Sequence, residues 1–225
     1  MSVSSNNSAT VDRYLEAIYY ISSEGEVVRP GRLATWLSVS APTVSEALQR
    51  LQRDGWVKVK KDRSVVLTPA GLAEASNLVR HHRILERWLT DGLGLDWATA
   101  DDEADRLSSA ISDFLIDRID ASLHRPLTCP HGNPIPGREA PYGELAPLAD
   151  LRTGASAVIR RISELAEHDA RDVLLMLAGH EIAEGSPVYV ADSKPDSREV
   201  SLIIAGKAVR LSTELAQLIW VEAAS

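Results

Sequence analysis

The sequence predicts a mainly α-helical chain with small β parts: a winged helix-turn-helix unit, a helical dimerisation region and a small C-terminal β barrel. Three observations carry this. Residues 39–67 read as a helix, a stop and two short β runs around a charged turn; residues 68–123 carry two long aliphatic stripes; beyond a proline- and glycine-rich stretch, the texture changes to short alternating strands.

Val11 to Ser22 places Val11, Leu15, Ile18 and Ile21 on one face, with Asp12, Arg13 and Glu16 more exposed, which predicts an amphipathic helix. The polar start, MSVSSNNSAT, is expected to be a frayed tail; it has neither the basic nor the apolar part of a signal peptide. Arg29 to Leu37 gives a short helix with Leu33, Ala34 and Leu37 inward. Val39 to Asp54 is the third helix: Ser40 can cap it, Pro42 fits its first turn, and Val44, Ala47, Leu48 and Leu51 recur at helical spacing until Gly55. Val57 to Lys61 and Val65 to Leu67 can pair as a hairpin turned by Asp62 and Arg63.

Thr68 and Pro69 open a long helix to about Thr90, and Asp96 caps another expected from Trp97 to Leu123, with Ala100, Ala104, Leu107, Ile111, Phe114, Leu115 and Ile119 inward. Little else in the chain covers two such stripes, so a helical dimer interface is expected. Arg125 to Gly154 is irregular, rich in proline and glycine. The expected strands are Ala157 to Ile162, Pro187 to Ala191, Val200 to Ile204 and Ala208 to Leu211, with helices near Asp169 to Leu177 and from Thr213. The domain boundaries are 1–70, 71–140 and 141–225.

Composition narrows the function. At 225 residues and 44% hydrophobic content the chain can hold two or three small domains. No apolar run reaches membrane-spanning length, and a single cysteine fits a reducing cytoplasm. The net charge of −8 argues against a chain that coats nucleic acid indiscriminately, yet residues 29–63 carry eight basic against three acidic side chains, net +5, leaving −13 elsewhere. A local basic patch on an acidic body suits a protein that meets DNA with one face. The exposed face of the third helix, with Thr43, Ser45, Glu46, Gln49, Arg50 and Arg53, is one a major groove can admit. No Gly-rich phosphate loop, HExxH or nucleophile-and-base pattern supports an enzyme.

Several segments together, SAPTVSEALQRLQRDGWV, LTPAG, RHHRILERWLTDGLGLD, DEADR, HGNPIPG and the tail AQLIWV, resemble the diphtheria-toxin-repressor family of metal-dependent transcriptional regulators over essentially the whole chain, closest to its three-domain iron- and manganese-responsive branch. The resemblance implies a cytoplasmic homodimeric repressor with a winged helix-turn-helix, a helical metal-binding and dimerisation domain and an SH3-like domain. It implies a palindromic double-stranded operator and Mn²⁺ or Fe²⁺ as corepressor, with Zn²⁺ or Co²⁺ able to substitute in vitro. DNA contacts then fall to Arg32, Ser40, Pro42, Thr43, Ser45, Glu46, Arg50, Arg53 and Lys60. Pro42 could press on a thymine methyl and Glu46 could accept from cytosine N4; relatives commonly have glutamine at the latter position, so their operator does not transfer.

The resemblance also places an ancillary metal site at His82, Glu86 and Asp101, with Asp169 and Asp172 as the nearest C-terminal ligands. An i, i+4 His/Glu pair can equally be a surface hydrogen bond. The positions of the family's other metal site hold Arg13, Asp105, Ser108 and Ser109, a poor ligand set. Either Arg13 replaces the cation by pairing with Asp105 and donating to a serine, giving metal-independent DNA binding or response to another ligand, or it points to solvent. Arg83 and Asn133 match an anion site at which Cys129 replaces serine. Cys129 and His131 could look like a metal pair, but Cys-Pro-His in a proline-rich turn is more often packing. His124, His168 and His180 gain no partner from sequence.

Overall fold

The computed structural model describes residues 3–165, 175–177, 179, 182–193, 198–204 and 206–223. Its first helix, α1 (Val3–Ser23), begins eight residues before the apolar stripe, so the expected frayed tail is helical from Val3 onward. α1 buries Tyr14, Leu15, Ala17, Ile18 and Ile21 against α2 (Pro30–Trp36), α3 (Ala41–Arg53) and the hairpin β1 (Val57–Val59) and β2 (Val65–Leu67). Ile18 and Leu51 are fully buried there, so truncating either to alanine costs about 2–5 kcal/mol.

The turn between α2 and α3 runs through Ser38 at φ +52, a left-handed conformation that redirects the chain within three residues. α3 starts where Ser40 Oγ accepts from the Thr43 amide at 3.3 Å, with proline in the first turn. At the far end of the unit, Thr68 Oγ1 caps α4 (Pro69–Arg87) by accepting from Gly71 N at 3.1 Å. Gly71 presses on the Trp56 carbonyl, where a Cβ would collide. The long helix is thereby seated on the winged unit.

α4 passes into a π-helical turn at Trp88–Gly92 and the chain re-enters as α5 (Trp97–Ser108). The single helix expected from 97 to 123 is two helices. α5 stops with Ser109 as its C-cap, and α6 (Asp113–Ser122) restarts where Ser112 Oγ accepts from Leu115 N. Serine side chains that bond nearby amides compete with helix continuation, and three of them fall in five residues. The break also turns part of the expected inward stripe outward: Phe114 is 75% exposed and Leu115 and Leu107 are exposed, while Ala100 and Ala104 stay in a core with Ile84, Leu85, Leu89 and Ile135. Ile111 and Ile119 pack against that core, and Ile116, not expected inward, is fully buried there.

The C-terminal unit is an all-antiparallel six-stranded sheet in the order β3-β8-β4-β5-β6-β7, made of β3 (Ala146–Pro147), β4 (Ser156–Ile162), β5 (Pro187–Asp192), β6 (Glu199–Ile204), β7 (Lys207–Ser212) and β8 (Ile219–Ala223). The helix expected from Thr213 is one turn, α7 (Thr213–Ala216), after which the chain enters the strand β8 and alternates buried Ile219 and Val221 with Trp220 and Glu222. Register shifts in β4 between Ile159 and Arg161, and in β5 after Val190, bend the sheet over its core. The helix expected near 169–177 lies mostly outside the described residues.

Candidate functional site: a basic helix face and a buried ligand cluster

On the outer face of α3, Pro42, Thr43, Ser45, Glu46 and Arg53 are exposed, Ser40 flanks them at the cap and Arg50 is partly covered. Lys60 stands exposed at the wing, whose tip turns at Arg63, φ +65. Asp62 fixes that tip by accepting from Ser64 N and Oγ at 3.1 and 2.7 Å, while Arg29 donates to its carbonyl. Gln52 Oε1 accepts from Val59 N at 3.1 Å and so sets the wing against α3, a role sequence reasoning missed. Arg32 is half-buried, bonded to Glu26 at 3.1 Å and lying 5.1 Å over the Trp36 ring, so its guanidinium braces the unit.

Behind this unit, helical periodicity gathers the titratable groups. His82 and Glu86 are one turn apart on α4, and Asp101 and Asp105 one turn apart on α5, so two i, i+4 pairs face each other across the helix contact. The His82 ring lies between the acids: Nε2 is 3.3 Å from Asp101 Oδ1, and Nδ1 is 3.2 Å from Asp105 Oδ1. His82, Glu86 and Asp101 bring their ligand atoms within 4.8 Å of one another. The other side of Glu86 meets the loop after α6: Oε1 is 2.9 Å from His131 Nδ1, and Cys129 Sγ is 4.0 Å from the same nitrogen. Glu86, Cys129 and His131 form a second, wholly buried set. Sequence reasoning gave Cys129 and His131 to packing; the Cys-Pro-His spacing was visible, but only the fold supplies the carboxylate.

Burial, the His82 hydrogen bonds and the surrounding acids act on one another here. Burial alone would raise the Glu86 carboxyl, but the imidazoles of His131 and His82 and the Arg83 guanidinium hold it below the usual carboxylate range. Burial would lower His82, yet its bonds to Asp101 and Asp105 hold it well above an ordinary imidazole. Glu16, missed as a site residue, comes from α1 into the wall of a cavity of roughly 430 Å³ with Arg13, Tyr20, His82, Asp101 and Asp105. Burial, with Asp105 and Asp12 adding, pushes its carboxyl up to about 7.

The residues assigned to the degenerate site separate. Arg13 is exposed at the cavity mouth, and among the described ion pairs there is none between Arg13 and Asp105, whose carboxylate is on His82. Ser108 is buried and donates to the Asp105 carbonyl, whereas Ser109 is an exposed helix cap. The candidate anion residues are engaged by protein groups: Arg83 donates to the Pro134 carbonyl and to Glu164, and Asn133 Nδ2 donates to the Ile162 carbonyl at 2.9 Å. Asp169, Asp172, His168 and His180 lie outside the described residues.

Imidazole nitrogen, carboxylate oxygen and a thiol, buried and convergent from three segments, are a donor set suited to a first-row divalent cation. A cation beside Glu86, Asp101 and Glu16 would stabilise the ionised carboxylates that burial disfavours.

Family models agree with this arrangement. Residues 7–65 match the iron dependent repressor N-terminal DNA binding domain, residues 68–137 the metal binding and dimerisation domain of the same family, and residues 146–223 the FeoA domain. The iron-dependent repressor IdeR of Mycobacterium leprae is 32% identical over 224 residues, 95% of this chain and 96% of that protein. The diphtheria toxin repressor of Corynebacterium diphtheriae is 35% identical over 222 residues, covering 95% and 96%. Among solved structures, a manganese-dependent transcriptional repressor in complex with manganese superposes with a TM-score of 0.83 at 33% identity, covering 95% of this chain and all of that one. The repressor ScaR with bound Zn²⁺ gives 0.79 at 26% identity, covering 95% and 99%. The winged unit, the ligand cluster on α4 and α5 and the C-terminal sheet thus make this chain a member of the iron-dependent repressor family of metal-dependent, DNA-binding transcriptional regulators.

Proposed function

We propose that the chain is a cytoplasmic homodimeric repressor, without catalytic activity, whose grip on a palindromic operator is switched on by Mn²⁺ or Fe²⁺ held around Glu86. His82 and Asp101 complete one donor set, harder in character; Cys129 and His131 complete the other, softer one. Zn²⁺ and Co²⁺ are expected to bind the softer set in vitro. A bound cation supplies positive charge beside carboxylates such as Glu16, whose ionised form burial disfavours.

The observation that carries the reading is the position of the cluster. It lies between α4, α5 and the inner wall of α1, so occupancy bears directly on the helix that backs α3. α3 would enter a major groove with Thr43, Ser45 and Glu46 at the base edges, and Arg53 and Lys60 at phosphates. Dimerisation through the exposed face around Phe114 and Leu115 would set the spacing of two half-sites.

The alternative, a member in which Arg13 replaces the cation, needs the Arg13–Asp105 pair, and the His82 contact of Asp105 weighs against it. Duplex binding to a pool-selected sequence, measured with a chelator and with added Mn²⁺ or Fe²⁺, tests the proposal. A gain of at least about tenfold with cation is expected, equivalent to about 1.4 kcal/mol; equal binding in both conditions would return the metal-independent reading.

A further inference from the structure

Residues 161–165, at the end of β4 and just beyond it, join three parts of the molecule. Ile162 is held by both its backbone groups to the ligand loop: its amide donates to the His131 carbonyl at 2.9 Å, and its carbonyl accepts from Asn133 Nδ2 at 2.9 Å. Gly132, between those two loop residues, lies flat on the Arg160 carbonyl, and a Cβ there would collide with it. The loop that carries His131 and the strand that carries Arg161 therefore move as one piece.

Arg161 touches both the ligand loop, where its Nη1 donates to Asn133 Oδ1 at 3.4 Å, and the end of the first helix. Its Nη1 and Nη2 donate to Glu24 Oε1 and Oε2 at 3.0 Å each, the fork-on-fork geometry that fixes orientation as well as distance. Glu24 lies just past the end of the first helix and its side chain is 3% exposed; its Oε1 also accepts from Glu164 N at 3.3 Å. Arg161 is braced from behind by the Trp220 ring at 5.1 Å. Glu164 bonds Arg83, the neighbour of His82, and Arg83 lies 5.9 Å from the centre of the Tyr20 ring on α1, which in turn stacks on Trp36 of α2. Leu165 packs into the core of the winged unit.

We infer that residues 161–165 form a strut through which the C-terminal sheet sets the orientation of the winged unit relative to the ligand loop, with Arg161 and Glu24 as its positioning residues; the inference rests on the metal-responsive reading above. A displacement of His131 on loading passes through Ile162 to Arg161 and from there to the end of α1, without crossing solvent-exposed chain. The pair is buried enough that removing one partner leaves an uncompensated charge, so the strut is held in one geometry. This is a physical path made of named bonds, and its prediction is a coupling between the two ends.

The test uses the full-length chain as Arg161→Met, Glu24→Gln and the charge swap Glu24→Arg with Arg161→Glu. Duplex affinity is measured with Mn²⁺ and with chelator, and spin-label distances are measured between Lys58 in the wing and Lys207 in the sheet. Each single variant is expected to cut the Mn²⁺-driven gain in duplex affinity at least about fivefold and to broaden the distance distribution, while the swap restores part of both. Single variants that keep the full gain and a narrow distribution would overturn the strut, as would a broad distribution in the unmodified protein. The distance measurement needs no cation, so a chain that ignores Mn²⁺ altogether defeats the functional reading while the distribution widths still decide the strut. A merely destabilising effect would lower both affinities alike and leave their ratio unmoved.

Discussion

Glu86 Oε1 and His131 Nδ1 stand 2.9 Å apart, one on a long helix and the other in a proline-rich loop, and the same carboxylate reaches toward His82 at 3.9 Å with its second oxygen. One side chain therefore belongs to two donor sets. Glu86→Gln is expected to weaken Mn²⁺ binding by at least about 10–100-fold in calorimetric titration, whereas Asp101→Asn acts on the His82 set alone and Cys129→Ser on the His131 set alone. Equal losses from all three would mean the sets are not distinct.

Exposed cations on the DNA-facing surface should behave as phosphate contacts. Arg53→Ala and Lys60→Ala are each expected to weaken binding similarly on specific and random duplexes and to lower the slope of log affinity against log salt by about one. Glu46→Gln should instead change the preferred base at one position of each half-site, read from a randomised pool. A preference unchanged by that substitution would place Glu46 off the base edges.

Phe114 and Leu115 stand at the start of α6 as exposed large apolar side chains, Phe114 most of all at 75%. Phe114→Glu should convert the dimer to a monomer in sedimentation at micromolar concentration, with the helical signal retained and duplex affinity reduced. Persistence of the dimer would assign pairing to another face.

Asp96 accepts from Thr99 N at 3.0 Å and from Thr99 Oγ1 at 2.7 Å, and these hydrogen bonds hold its carboxyl below its ordinary value of 3.8. A depressed carboxyl adds stability that is fully present above the ordinary value and is lost as pH falls through the lower folded one. Asp96→Ala should therefore cost about 1 kcal/mol in urea unfolding at pH 7, and the difference from the parent should shrink below about pH 4.

The local architecture was legible because local rules govern it. Ser40, Pro42 and the 44–47–48–51 stripe specify α3, and Thr68 with Pro69 starts α4, since capping and periodicity act within a few residues. The break at Ser109–Ser112 escaped because the aliphatic stripe runs across it and the competition between serine caps and helix continuation is close. β8 escaped for a related reason: the helix start at Thr213 is real, but the pairing with β4 that ends this helix after one turn is a long-range contact. At the site, His82, Glu86 and Asp101 could be named from spacing and resemblance. His131 on Glu86, Asp105 on His82 and Glu16 in the cavity wall depend on how α1, α5 and the loop close around α4, which no local window contains.

The flat seat of Gly132 on the Arg160 carbonyl bears on how this molecule can be dissected. A shortened version ending before residue 146 would strip the ligand loop of the surface it rests on and leave Glu24 without Arg161 and the Glu164 amide. Such a fragment would be an unreliable proxy for the intact regulator, its weaker response reflecting a collapsed loop as much as a missing domain.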